Sequence, residues 1–376
     1  MTAGLYVHVP FCRKKCDYCN FFSAEVFSSQ LLDLYGDVIC DEMKYRIGFH
    51  GVDSFDTLYF GGGTPSLLNI EKIKAIVSMA APYLTNDAEV TMEINPEDVS
   101  REFLSYLKDC GINRVSMGLQ SLNRDILKTI GRSTTENLEE KLHVLQDFSG
   151  LKKSIDLICG IPGQTIEDIK ADIDAVAKQS IGHISLYALS IEEGTPLFER
   201  LKVDDSFEEF QRKHLEAVLK LLHDYGYNHY EISNFAREGC ESRHNMKYWT
   251  WEPYIGLGAG AHSFVDNKRS YHNEDISLYL KQKGRSNIFN EGNQSEEIVE
   301  YIMTSLRMLK GFCLEDLERN LQVKIKDQLS GTIEALRRQN LLIVDIIQGK
   351  TSIRLSEEGV YLCDKVVYEL VENFIP

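Results

Sequence analysis

The sequence has no uninterrupted run of 18 or more apolar residues, so no ordinary membrane-spanning helix is expected. It also has no surplus of positive charge. Lys and Arg number 41 against 57 Asp and Glu, a formal net charge of −16. A general affinity for nucleic acid needs clustered cations, so none is expected. Residues Met1–Pro10 carry neither a basic stretch nor a long apolar segment, so a secretory signal is not expected either. The nine cysteines are an odd number, which does not suggest a disulfide framework. A reducing compartment, the cytoplasm, is expected, where cysteines bind metal, do redox chemistry or lie buried. The G-x-x-x-x-G-K phosphate loop is missing, and no internal repeat is visible. What is present is ordinary for a soluble globular chain: 376 residues, 43% apolar and 26% charged. At ~150 residues per domain this is enough for two or three domains and a core that needs no covalent staples.

Up to about residue 230, short β-type runs alternate with longer amphipathic ones. The predicted strands are Leu5–Val9, Thr57–Phe60, Glu89–Ile94, Arg114–Gly118, Ser154–Ile158 and His183–Leu189. Between them lie helical patterns over Gln30–Arg46, Ile70–Tyr83, Arg101–Cys110, Asn137–Phe148 and Ile166–Gln179. This alternation predicts βαβ units and a parallel sheet, open or rolled into a partial barrel. In either form the loops at the carboxyl ends of the strands build the active site. An acidic stretch from Lys202 to Glu209 leads into a long helix to about Tyr225. Asn228–Phe264 is richer in aromatics, Gly and His and reads as an extension packed against the sheet. Over residues 295–376 the pattern is three helices, a short hairpin (Leu341–Asp345 with Ser352–Leu355) and a final helix. That order predicts a small, winged-helix-like module, acting as a lid or protein contact rather than on DNA. The expected division is 1–235, 236–290 and 291–376.

Cys12, Cys16 and Cys19 stand in a C-x3-C-x2-C pattern directly after the first strand. Three thiols on one loop can gather at one metal centre, and Arg13, Lys14 and Lys15 beside them are expected to favour the thiolate. A structural zinc site takes four protein ligands, and only His8, inside the strand, is near enough to complete one. A [4Fe–4S] cluster normally takes four cysteines, so three leave one iron open to a small molecule. After the second strand comes Phe60-Gly61-Gly62-Gly63-Thr64-Pro65, where consecutive glycines let backbone approach a ligand closely.

These two motifs, in this order, resemble the radical S-adenosylmethionine (SAM) superfamily. The resemblance implies an α/β partial (β/α)6 barrel over residues 1–235, with a smaller, mostly helical, winged-helix-like C-terminal domain. It implies that Cys12, Cys16 and Cys19 hold a [4Fe–4S] cluster whose open iron binds the amino and carboxylate groups of SAM. One electron from the cluster then cleaves SAM to methionine and a 5′-deoxyadenosyl radical. Further residues match SAM contacts of the family. They are Tyr6 on the first strand, Tyr18 near the adenine, Gly62, Gly63 and Thr64 of the glycine motif, Glu93, Gln120, Arg132 for the carboxylate, and Asp156 for the ribose hydroxyls.

Within the superfamily the chain is similar to the subgroup of oxygen-independent coproporphyrinogen III dehydrogenase and the HemW haem chaperones. The dehydrogenase pattern CxxxCxxCxC has a further cysteine where this chain has Phe21, and it begins after an N-terminal extension that is not expected here. His244-Asn245-Met246-Lys247-Tyr248-Trp249 matches the HNxxYW motif associated with HemW. The resemblance therefore implies a haem chaperone, with His244 a candidate haem ligand and Tyr248 and Trp249 offering aromatic surface. Its partners are haem, apo-haemoprotein acceptors and a reductant such as flavodoxin or ferredoxin, which the basic cysteine loop would dock. The alternative is oxidative decarboxylation of coproporphyrinogen III to protoporphyrinogen IX, with Arg237, Arg243 and Lys247 as candidates for the substrate's propionates. A zinc-stabilised interaction protein is a third possibility. The remaining cysteines, Cys40, Cys110, Cys159, Cys240, Cys313 and Cys363, read as buried and structural. Gly256–Ser263 reads as backbone closing over the cofactor pocket, and His262 within it as structural.

Overall fold

The computed structural model describes residues 1–26, 28–132, 137–201, 205–285, 287–289 and 292–375. Its first half is built from six strands, β1 (Thr2–Val9), β2 (Ser54–Gly62), β3 (Leu84–Ile94), β4 (Arg114–Gln120), β5 (Lys152–Cys159) and β6 (His183–Ala188). Each pairs in parallel with the next, as successive βαβ units require. Six of β1's eight residues are buried, Ala3, Leu5, Val7 and Val9 on one face and Gly4 and His8 on the other, the near-continuous burial of a strand covered on both faces. The connecting helices begin where the sequence places side-chain caps. Asn69 accepts from the Glu71 N–H before helix Ile70–Ala80, Ser100 from Phe103 before Arg101–Asp109, and Thr165 forms a capping box with Asp168 before Ile166–Ala177. Helix Ile70–Ala80 buries Ile73, Ile76, Val77 and Ala80, the stripe that faces the sheet.

The aromatic-rich segment differs from expectation. It does not lie against the sheet; it enters it. Strands β7 (Asn228–Glu231) and β8 (Asn234–Ala236) join antiparallel beyond β6, and β9 (Tyr254–Leu257) inserts parallel to β1 on its other side. Then β10 (His262–Val265), β11 (Lys268–Tyr271) and β12 (Ile288–Phe289) continue antiparallel from β9. The result is a partial barrel in one sheet of twelve strands, with its two edge strands far apart in the order. Strands of two to four residues are too short to show a period of two, which is why the pattern alone did not reveal them.

Residues 202–204, the start of the acidic stretch, and 290–291, where the last expected boundary falls, lie outside the described residues. Helix Asp205–Asp224 follows the first gap. The C-terminal region has helices Gln294–Ser305, Leu314–Leu321 and Lys326–Arg338, a hairpin and helices Glu357–Tyr361 and Cys363–Val371. Its hairpin strands β14 (Leu342–Ile347) and β15 (Lys350–Leu355) run up to a two-residue turn, and β13 (Phe312–Cys313) adds on β15. Gln348 and Gly349 both have positive φ, as the tight turn that suits strand twist demands. This region has its own apolar core, and Arg212 ties it to the barrel through two 2.8 Å bonds to Glu358.

Inside the barrel Arg114 is 1% exposed. It donates to Glu89 (3.2 Å), to the carbonyls of Cys240 (2.9 Å) and Glu241 (3.0 Å), and to Ser154 (2.7 Å). Arg114→Leu strands a buried carboxylate and two carbonyls, so it should lower unfolding stability by about 3–5 kcal/mol in chemical denaturation. A loss below 1 kcal/mol would mean that water replaces the guanidinium.

Candidate functional site

At the carboxyl ends of the parallel strands lies a pocket of about 530 Å³. Its lining contains Cys12, Cys16, Tyr18, Cys19, Gly62, Gly63, Thr64, Glu93, Gln120, Arg132 and Asp156. The structure therefore brings together all but two of the thirteen site residues expected from sequence; Tyr6 and His244 lie elsewhere. Lys14, Lys15 and Phe21 also line it, and Phe21 is 70% exposed.

The cysteine loop leaves β1 and is held by backbone. Gly63 N–H donates to Val9 O (2.9 Å), and the Phe11–Cys12 pair runs alongside Ala24–Glu25. Asp17 latches its middle: its N–H donates to Ile130 O, its carbonyl accepts from Leu197, and its carboxylate accepts from Arg200 at 2.6 Å. The glycine motif is tight for the same reason. Gly62 has φ +111°, and a Cβ on Gly63 would lie 2.5 Å from Phe11 O. These glycines are needed where the loop meets β2, whatever else they contact.

The three cysteines are free thiols. Among the described residues no three His, Cys, Asp or Glu side chains converge on a single ion. Ligands to a cluster each take a different iron and need not converge, so three partly exposed thiols lining one pocket fit such a group. The basic neighbours act less on the thiols than expected. Burial raises the Cys19 pKa although Lys15 opposes it, Arg13 is taken by Asp98 (2.6 Å), and Lys15 donates to Phe21 O (3.1 Å). His8 cannot complete a zinc site in this arrangement. Its ring bonds Tyr6 OH (2.8 Å) and Phe22 O (3.2 Å), and burial lowers its pKa to about 4.

The polar residues are held in place by one another. Glu93 accepts from Tyr59 OH (2.8 Å) and Gly62 N–H (3.2 Å). Arg132 donates to Asn95 (2.9 Å) and Gly118 O (2.6 Å) and stands 3.7 Å from Cys16 Sγ. Gln120, at φ +67°, turns out of β4 into the pocket. Asp156 accepts from Ser116 (3.1 Å), and burial raises its pKa.

Tyr6 lies a layer below, beside Tyr59 and His244. His244 is 0% exposed, and both ring nitrogens are engaged, with Thr57 Oγ1 (2.7 Å) and Tyr248 OH (2.9 Å). Burial, then Lys247, lowers its pKa to about 3. In this arrangement it has no nitrogen free for iron, which corrects its expected role. The propionate candidates are also committed elsewhere. Lys247 pairs with Asp56 (2.8 Å) and Glu252 (2.9 Å), Arg243 with Asp87 (3.3 Å), and Arg237 donates to Ala177 O (3.1 Å). Nor does Gly256–Ser263 close over the pocket. Gly258 and Ala259 donate instead to Glu42 (3.0 Å) and Tyr35 (2.9 Å), buried on helix Ser29–His50.

The sequence reading missed Asn95, Tyr187 near the end of β6, and Ser190 and Glu192 in the loop that follows. The rule that sites gather at strand carboxyl ends points to that loop, but no motif marks it.

Residues 6–176 match the model of the Radical SAM superfamily. The chain is 32% identical to the haem chaperone HemW of Lactococcus lactis, covering 96% of this chain and 95% of that protein. It is 31% identical to the mitochondrial radical S-adenosyl methionine domain-containing protein 1 of Danio rerio, covering 98% and 86%. Among solved structures, coproporphyrinogen III oxidase (HemN) of Escherichia coli superposes with a TM-score of 0.81 at 22% identity, covering 99% and 90%; at that identity the likeness is one of fold.

Burial lifts the Glu93 carboxyl from 4.5 to about 7, with nearby Asp156 adding to the rise and Tyr59 opposing it. Between those values the folded ligand-free protein holds a proton that the unfolded chain has lost, so stability falls as pH rises through this window. The slope is about 1.4 kcal/mol per pH unit. Urea unfolding at pH 6 and pH 7, no lower than the value of about 6 to which burial raises Asp172, should show this decline, and Glu93→Gln should reduce it. An equal slope in the variant would assign the effect to another group.

Proposed function

The chain belongs to the radical SAM superfamily and to its HemW branch, and on that premise we propose that it is a haem chaperone that binds a [4Fe–4S] cluster, SAM and haem and delivers haem to apo-haemoproteins. The observation that carries this reading is the similarity to HemW along nearly the whole chain, C-terminal region included. Phe21 supports it locally: a phenyl ring stands at the pocket mouth where the dehydrogenase pattern has its further cysteine.

In this proposal Cys12, Cys16 and Cys19 hold the cluster. When bound, a cluster with one uncommitted iron ligates the amino and carboxylate groups of SAM and can pass it an electron. The chain's own part is to position the cofactor. Glu93, a buried carboxyl whose ionised form a neighbouring cation would stabilise, suits an amino group, with Gly62, Gly63 and Thr64 forming the adjacent wall. Arg132, fixed by Asn95 and the Gly118 carbonyl, suits a carboxylate. Asp156 and Gln120 offer acceptors for hydroxyls, and Tyr18 an aromatic face for the adenine. Tyr6 supports this floor through His8 and Tyr59 without lining the pocket.

Three further assignments belong to the proposal. The radical SAM core spans 1–235, the HNxxYW segment and its connection 236–290, and the C-terminal winged-helix-like domain 291–376. Lys14 and Lys15 form a basic rim suited to an acidic reductant such as flavodoxin or ferredoxin. The protein works in the cytoplasm; among the described residues no helix is long and apolar enough to cross a membrane.

The test is an anaerobic one on reconstituted protein. About four iron and four sulfide per chain are expected, with Cys12→Ala, Cys16→Ala and Cys19→Ala each losing most of both. Haem should bind and pass to an apo-haemoprotein. Coproporphyrinogen III with SAM and a reductant should give no decarboxylated product. Multiple turnovers to protoporphyrinogen would replace the chaperone reading with the dehydrogenase.

A further inference from the structure

A second cavity, of about 670 Å³, lies away from the cofactor pocket. It is a cleft between the antiparallel end of the sheet and the first helix of the C-terminal region. One wall carries Tyr248 and Trp249 of the HNxxYW segment, with Tyr254, His262, Arg269 and Tyr271 from β9, β10 and β11. The other is one face of helix Gln294–Ser305, where Glu296, Val299, Glu300 and Met303 recur at helical spacing. Met303 is 47% exposed there. The volume falls within the roughly 300–1,000 Å³ typical of small-molecule sites.

His262 distinguishes this cleft. Of the ten histidines it alone lines either large cavity. His8, His214 and His244 have both ring nitrogens bonded within the fold, and His272 is tied to Glu42. His262 is exposed at the cleft, and its ring stacks on that of Tyr271 at 5.4 Å between centroids. Partial desolvation by the cleft walls and then Arg269 hold its pKa below the ordinary histidine value. Arg269 pairs with Glu300 and donates to Tyr254 OH (2.7 Å), which leaves Glu296 as the other charged side chain of the lining. Neutral imidazole, aromatic faces and a thioether on the opposite wall make up the chemistry of an iron tetrapyrrole site.

We propose that this cleft is the haem site, with the His262 imidazole as an iron ligand braced by Tyr271 and the Tyr248 and Trp249 side chains bordering the macrocycle. This rests on the haem-chaperone reading and specifies where the cargo sits. The site places haem apart from the cluster and SAM pocket and across the seam between the sheet and the C-terminal region. It assigns His244 a positioning role: its bond to Tyr248 OH holds one aromatic wall of the cleft.

Haemin titration of the whole protein, followed in the visible spectrum, tests this with an internal control. Wild type should bind one haem with the spectrum of a nitrogen-ligated iron. His262→Gln should weaken binding at least tenfold and change that spectrum, while His223→Ala, on an exposed helix end, should match wild type. Val299→Arg should block binding by charging the helix wall, with a thermal melt confirming that the variant folds. The cluster-free Cys12→Ala protein should still take up haem. If wild type binds haem and His262→Gln and Val299→Arg bind it equally well, the cleft is not the site and the chaperone reading survives. If wild type binds no haem, the chaperone reading itself fails, and this proposal with it.

Discussion

The candidate pocket depends on a close approach of two backbones. The chain leaving β1 and the glycines ending β2 pack so tightly that a single methyl on Gly63 would overlap the Phe11 carbonyl. That contact, with the Gly63 N–H to Val9 O bond, sets where the cysteine loop starts. Asp17 sets where it turns. Gly131 is part of the same latch, since a side chain at its position would occupy the space of the Asp17 carboxylate. Three thiols on a loop of this length would otherwise sample many positions, and pinning the loop at both points limits that freedom before any metal arrives.

Beneath the pocket the barrel interior is polar, with a buried ion pair under a layer of carboxyls and hydroxyls. Glu89 and Arg114 pair there, and Glu93, Asp156, Ser116 and Tyr59 form the layer above. The second buried carboxylate network, on Glu42, sits behind the cysteine loop. It takes His272 at 2.5 Å, Tyr279 at 2.6 Å and the Gly258 N–H. It anchors the turn between β9 and β10 to helix Ser29–His50. Such networks leave little alternative packing, because a missing partner strands a buried charge.

The HNxxYW segment joins two regions that the sequence presents as one motif. His244 faces inward to Thr57 and Tyr59, whereas Tyr248 and Trp249 border the cleft against the C-terminal helix. A change at His244 therefore acts through packing on both the barrel floor and the cleft wall. This division also gives the C-terminal region a physical role: its first helix supplies half of a cavity that the barrel alone leaves open.

Much of this was legible from residues alone. Parallel strands betray themselves by long apolar runs, caps by Asn, Ser and Thr before a helical stripe, and the cysteine and glycine motifs by spacing that little else requires. Local pattern therefore determined the six βα units, the C-terminal hairpin and the cysteine and glycine motifs, while Tyr18, Glu93, Gln120, Arg132 and Asp156 were expected only through the family resemblance. Tertiary structure decided the rest. Four-residue strands such as Tyr254–Leu257 carry no period, so only pairing with β1 placed them. A histidine's chemistry depends on what occupies its nitrogens and whether solvent reaches it, and neither is written locally. Hence His244, inside a motif, is enclosed and fully bonded, while His262, outside one, borders an open cleft.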